Sequence, residues 1–306
     1  MTTPGIPNEY SLSTTCFGTR LPTIQDQIFA AVGMGFRRVE LGLCESPPSM
    51  EGLEDSKRET AVSIPSMMAG CRDPMNGSMA VERLGSLHRE ECERGLNSIR
   101  RHVRLANAWG CNTVVVRGNK VELPSLKAEA EELIEEREEN GLEPELKERF
   151  VAYVQRVQES SQAQIEQFCR SLHILTSEMP DTIFAIEPGR DIDDLLSFEA
   201  TRWVLDDLKK REIHYWHDVG PIHLRQTLGL PHQGEWLDSF GSRMVGIHLQ
   251  DAADNETEMP VGLGEVDFKL LREYVPKNAE RVVQIDSTHG RAEILTSVRA
   301  LVDLGF

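Results

Sequence analysis

The chain lacks any paired cysteine spacing. Its six cysteines, Cys16, Cys44, Cys71, Cys92, Cys111 and Cys169, are scattered without a CxxC, which excludes a zinc knuckle or short disulfide framework and leaves reduced, mostly buried thiols as the expectation. It has no stretch approaching eighteen uninterrupted apolar residues, so no membrane-spanning helix is expected. Its opening residues, MTTPGIPNEY, have neither the basic nor the apolar region of a secretion signal. It has no basic run either: 33 Lys and Arg stand against 50 Asp and Glu, a formal net charge of −17. That charge disfavours a sequence-independent hold on nucleic acid or an anionic membrane and fits a small neutral substrate or a bound cation better. No GxGxxG follows an early strand, so an open dinucleotide-binding sheet has no support. The expectation is a cytoplasmic globular protein with 40% hydrophobic residues to build its core. The oligomeric state is left open, a homo-oligomer included.

What is present is a recurrence of short apolar runs, each followed by a helical stretch. The strands read Tyr10 to Cys16, Phe36 to Leu43, Val62 to Ala69, Thr113 to Val116, Thr182 to Ile186, Ile213 to Trp216, Met244 to Leu249 and Arg281 to Ile285. Helices are expected at Thr23 to Met34, ended by Gly35, at Glu90 to Trp109, capped by Gly110, at Ser197 to Lys210 and at Phe268 to Tyr274, with a final helix to Leu304. Eight such units across residues 1–306, without an evident linker, favour a single-domain (β/α)8 TIM barrel, whose chemistry lies at the C-terminal ends of its strands. A helix-rich acidic segment, about residues 120–180, separates strands four and five; its run EAEELIEEREENGLEPELKER reads as a solvated helical face.

The stretch AIEPGRD, residues 185–191, places Glu187 at the end of an apolar strand that Pro188-Gly189 closes at once. A carboxylate there is costly to bury unless it is paired or bound to metal. Asp218 in HYWHDVG, His248 in VGIHLQD and Asp286 in VVQIDSTHG end the next three strands. Carboxylates with one imidazole and no thiolate make an oxygen/nitrogen site for one divalent ion, Mn²⁺ favoured over Mg²⁺, Co²⁺ or Zn²⁺. Each residue also has a plain structural reading. Glu187 pairs with a neighbour such as Arg190, Asp218 makes an Asx-type turn, His248 is a core histidine, and Asp286 of Asp-Ser-Thr caps the following helix. Alternation puts His214, Trp216 and Asp218 on one face of strand six. His214, His217, His223 and His289 are candidate substrate-binding residues, and Arg117 and Arg190 candidate partners for a phosphate or carboxylate.

From about residue 10 to 304 the chain resembles the xylose isomerase-like sugar phosphate isomerase/epimerase superfamily, which includes ketose 3-epimerases, inosose dehydratases and endonuclease IV. The resemblance implies one metal held by a Glu after strand five, an Asp after strand six, a His on strand seven and a Glu after strand eight. Glu187, Asp218 and His248 match the first three. FRRVELGL resembles the second-strand pattern, with Glu40 facing the mouth to meet substrate, and PVGLGEVDF resembles a Gly-x-Gly-x-Val-Asp loop.

The chain departs from that pattern at strand eight, where Asp286 stands for Glu and Gln284, two residues earlier on the same face, competes for the role. Pro221 replaces a histidine after strand six, with His223 nearby, and Asp254 replaces an arginine after strand seven. The resemblance implies a divalent-metal-dependent sugar isomerase or epimerase that moves a proton beside a carbonyl of a ketose or polyol-derived substrate, with Glu187 as a catalytic carboxylate and Asp286, or else Glu40, opposite it. The alternatives are an inosose dehydratase-like lyase and a barrel without activity. An endonuclease would need histidines that IPSMMAG and VVVRGN do not supply.

Overall fold

Thr23 shows how closely the local signals are obeyed. Its hydroxyl accepts the Asp26 amide and starts helix α1 (Ile24–Met34), and Gly35 ends that helix at φ 110°, a left-handed conformation open to glycine. The computed structural model describes residues 5–44, 48–72, 79–80 and 83–306, with side chains at 71–72 and 79–80 left aside.

Eight parallel strands alternate with helices: β1 (Tyr10–Ser13), β2 (Val39–Glu40), β3 (Ser66–Met68), β4 (Thr113–Arg117), β5 (Ile183–Glu187), β6 (His214–Asp218), β7 (Met244–Leu249) and β8 (Glu280–Val283). Their order around the sheet is β2-β1-β8-β7-β6-β5-β4-β3. Single parallel bridges, Leu41 to Met67 and Arg38 to Ser63, bring β2 against β3 and nearly close the ring. The helices that follow α1 are α2 (Leu53–Thr60), α3 (Arg89–Ala108), α4 (Pro124–Asn140), α5 (Pro144–Ser160), α6 (Gln162–Glu178), α7 (Phe198–Asp207), α8 (Val219–Thr227), α9 (Gln233–Phe240), α10 (Phe268–Tyr274) and α11 (Arg291–Leu304).

Alternation along the strands divides the core in two. Met68, Val115, Ala185, Trp216 and Val282 fill the barrel interior, while the outward residues meet the helices; Tyr215, for example, packs with Trp236 and Phe240 at ring-centroid distances of 6.3 and 5.2 Å. The Trp216 indole lies against Gly246, where an added Cβ would fall 2.1 Å from its ring. Only glycine leaves room for that floor under the mouth.

The acidic segment folds as α4 and α5 ahead of α6. On α4 the apolar positions Leu126, Ala130 and Leu133 are buried, and the glutamates face water, paired in part with Arg149 and Arg156 of α5. After β7 an antiparallel hairpin, Asp251–Ala253 with Glu256–Met259, packs on α8. Among the described residues no helix is long and apolar enough to cross a membrane.

Candidate metal centre

Register brings the strand-end residues together. Arg117 pairs with Glu187 across β4 and β5, and Asp218 with His248 across β6 and β7. Because side chains alternate, the residues two positions beyond the interior Val115, Ala185, Trp216 and Gly246 share one layer just above the floor. Glu187, Asp218 and His248 offer ligand atoms within 4.8 Å of one another, the one such group among the described residues. Glu187 and His248 are 0% exposed and Asp218 is 1% exposed, so their charges are compensated within the protein or by an ion.

His248 is held at both ring nitrogens. Nδ1 lies 2.9 Å from Glu187 Oε1 and Nε2 lies 3.0 Å from Glu40 Oε1. Glu40 is itself fixed by the Ser66 hydroxyl, which donates to its Oε2 at 2.9 Å. The other oxygen of Glu187 accepts from Arg117 Nε at 2.7 Å. Burial alone would raise the Glu187 carboxyl, but Arg117 and then His248 hold it well below the ordinary carboxylate range. Burial alone would lower His248, yet Glu40 and Glu187 push it up to about 10.

Asp218 is different. Burial, and then the Glu187 charge, push its carboxyl up to about 8. Its Oδ1 accepts from Gln250 Nε2 at 2.6 Å, while Oδ2 is buried with no donor reaching it and the Glu187 carboxylate as its neighbour. Its side chain makes no capping bond to α8, so the turn reading does not account for it. A buried carboxylate oxygen facing a histidine and a second carboxylate fits a divalent cation.

Asp286, expected as the fourth ligand, is not brought to this cluster. Its Oδ1 accepts from Thr288 N at 2.8 Å and Thr288 Oγ1 at 2.6 Å, a local turn and not the expected cap of α11, whose N-cap is Gly290, and the carboxyl is lowered chiefly by that Thr288 bond. Gln284 is buried instead, with its amide donating to Glu258 Oε1 at 2.7 Å. Arg190 pairs with Glu258 rather than with Glu187.

The candidate substrate histidines scatter. His214 sits at the start of β6, roughly 13 Å below the strand end at 3.3 Å per residue. His217 faces the helices, bonded to Tyr215 Oη at 2.8 Å and Gln233 Oε1 at 2.7 Å, and burial lowers it to about 4. His223 is buried on α8, with Nε2 at 4.0 Å from Glu265. His289 follows β8 and donates its backbone amide to Asp286 at 3.0 Å. Glu40 and Arg117 contact the cluster itself rather than standing apart from it.

Sequence reasoning missed Gln250 and Glu258. Gln250 had a signal, since it lies two residues beyond His248 and therefore on the same face. Glu258 had none of its own beyond the missing carboxylate at 284.

This is the xylose isomerase-like (β/α)8 barrel fold. An L-ribulose 3-epimerase superposes with a TM-score of 0.67 at 11% identity, covering 97% of this chain and 93% of that one. The IolI protein with a zinc atom gives 0.57 at 12% identity, with coverage of 96% and 97%. A family 2 AP endonuclease from Brucella melitensis gives 0.64 at 11% identity, with coverage of 93% and 95%. No protein-family model and no curated protein matches the sequence.

Proposed function

We propose that the protein is a divalent-metal-dependent isomerase or epimerase acting on a ketose or polyol-derived carbonyl compound, with Glu187, Asp218 and His248 as metal ligands. The observation that carries this reading is the buried Glu187, Asp218 and His248 cluster, in which Asp218 Oδ2 faces a second carboxylate and is reached by no protein donor. The donor set of oxygens and one nitrogen suits Mn²⁺ first and admits Mg²⁺, Co²⁺ or Zn²⁺. Such an ion supplies Lewis acidity that makes a C–H beside a substrate carbonyl acidic.

The chain's residues do the rest. Glu40 accepts the Nε2 proton of His248, so that Nδ1, once it gives up the proton it shares with Glu187, is the nitrogen that would ligate. Arg117 keeps Glu187 ionised, the state in which it would ligate a cation. Trp216, 5.2 Å from the His248 ring, closes the floor and excludes water from below.

Phosphodiester cleavage has less support than the fold alone would give it, since β3 and β4 carry no histidine and the net charge is −17. The discriminating experiment incubates Mn²⁺-loaded protein with a panel of ketoses and inososes in D₂O, read by NMR. Deuterium entering the carbon beside the carbonyl is the expected result, and loss of water would move the assignment to a dehydratase. Exchange in no member of the panel, together with nicking of abasic DNA, would overturn the reading.

A further inference from the structure

Strand eight brings no carboxylate to the cluster: Gln284 is neutral and Asp286 is spent on Thr288. The hairpin after β7 carries one, Glu258, whose carboxylate rests on Gln284 and Arg190. Glu258 holds φ at 58°, the left-handed region that disfavours a residue with a Cβ by about 1–2 kcal/mol. Four further contacts keep it there. Its amide donates to Gln250 Oε1 at 2.6 Å, its carbonyl accepts the Asp286 amide at 2.7 Å, and its carboxylate takes Gln284 Nε2 at 2.7 Å and the Arg190 guanidinium.

Strained backbone held by this many bonds points to a side chain whose placement matters. Gln250 links this residue to the cluster, because its other end donates to Asp218 Oδ1 at 2.6 Å. One Gln250 amide group therefore bonds the Glu258 backbone and the Asp218 side chain at once. The Glu258 charge also acts on Arg117, the partner of Glu187, and on Cys16 and Cys44 at the same end of the barrel.

We infer that Glu258 is the fourth protein ligand of the metal centre, delivered by the hairpin in place of a strand-eight carboxylate. In the structure its carboxylate is engaged by Gln284 and Arg190 and lies outside the 4.8 Å group; ligation exchanges the Arg190 contact for the cation. Arg137 of α4 donates to the carbonyl of Asp254 at 2.9 Å and steadies the hairpin tip. The inference rests on the metal reading of Glu187, Asp218 and His248.

The test is calorimetric titration of chelator-treated protein with Mn²⁺ alone. Glu258→Gln keeps an acceptor for Gln284 and Arg190, so the fold is expected to survive. Its Mn²⁺ affinity is expected to fall by at least the roughly 10–100-fold typical of losing an outer partner of a metal site. Asp286→Asn should bind as wild type does, and Arg190→Gln, which frees Glu258, should bind as tightly or tighter. Adding Gln284→Glu to Glu258→Gln should restore affinity, because that side chain touches the same spot; this rescue also separates lost ligation from a damaged fold. Wild-type affinity in Glu258→Gln, or equal weakening by Arg190→Gln, would overturn the inference while leaving the three-ligand site standing. Wild-type protein that binds no Mn²⁺ would remove both.

Discussion

Gly189→Ala tests how the strand ends are held in register. A Cβ at Gly189 would fall 1.8 Å from Asp194 Oδ2, 2.2 Å from its Cγ and 2.8 Å from its Cβ. Asp194 has little room to retreat: it is 4% exposed, its Oδ1 accepts the Leu196 amide at 2.8 Å, and the same oxygen lies 2.1 Å from where a Cβ on Gly118 would be. One carboxyl is thus wedged between the backbones that follow β4 and β5, the strands carrying Arg117 and Glu187. Overpacking costs about 1–3 kcal/mol, and a buried polar group pulled from its donor about 1–3 kcal/mol more. Gly189→Ala should therefore lose about 2–6 kcal/mol, read as a lower urea midpoint at unchanged m-value, and should weaken metal binding through the displaced Glu187. In an Asp194→Ala background the added penalty should shrink, since the two closest atoms are gone. A midpoint and metal affinity equal to wild type would refute the reasoning.

Two further predictions follow from the cluster's charges. At pH 7 the metal-free protein keeps protons on both His248, pushed up to about 10, and Asp218, pushed up to about 8. A cation needs both sites bare, so loading should release about two protons and affinity should rise from pH 6 to pH 8; titration in buffers of different ionisation heat counts them, and a pH-independent affinity would contradict the assignment. Glu187→Gln should abolish stoichiometric Mn²⁺ binding. Because it also strips a buried Arg117 of its partner, it should lower stability by about 3–5 kcal/mol; thermal unfolding beside metal titration checks both, and unchanged values in both would count against the site.

The barrel was legible because its signals are local and repeated. Val114-Val115-Val116, Ile183 to Ile186 and Met244 to Leu249 form strands where apolar runs stood, and Thr23 with Gly35 bounds α1 as read. Boundaries shifted where backbone pairing stopped before apolarity did. Tyr10 to Cys16 was read as one strand, but pairing ends at Ser13 and Thr14–Phe17 turns into a 3₁₀ segment. Phe36 to Leu43 shrank to Val39–Glu40 with isolated bridges on either side. Three residues of the site, Glu187, Asp218 and His248, come from strand ends, where position in the βα order predicts position in space. The hairpin resisted such reading because DAADNETEM has no apolar alternation; it is stabilised by contact with α8, by Gln250 at its foot and by Gln284, distant in sequence. His214 misled because alternation fixes the face of a strand and not the height along it. His217 faces the helices instead, two residues above Tyr215 on the outer side.

The most direct measurement is an anomalous difference map from crystals grown with Mn²⁺ as the sole added divalent ion. The account predicts a single peak within bonding distance of Glu187, Asp218 and His248 Nδ1, with His248 Nε2 still on Glu40. No peak there, with His248 still bridging Glu40 and Glu187 at saturating Mn²⁺, would contradict it.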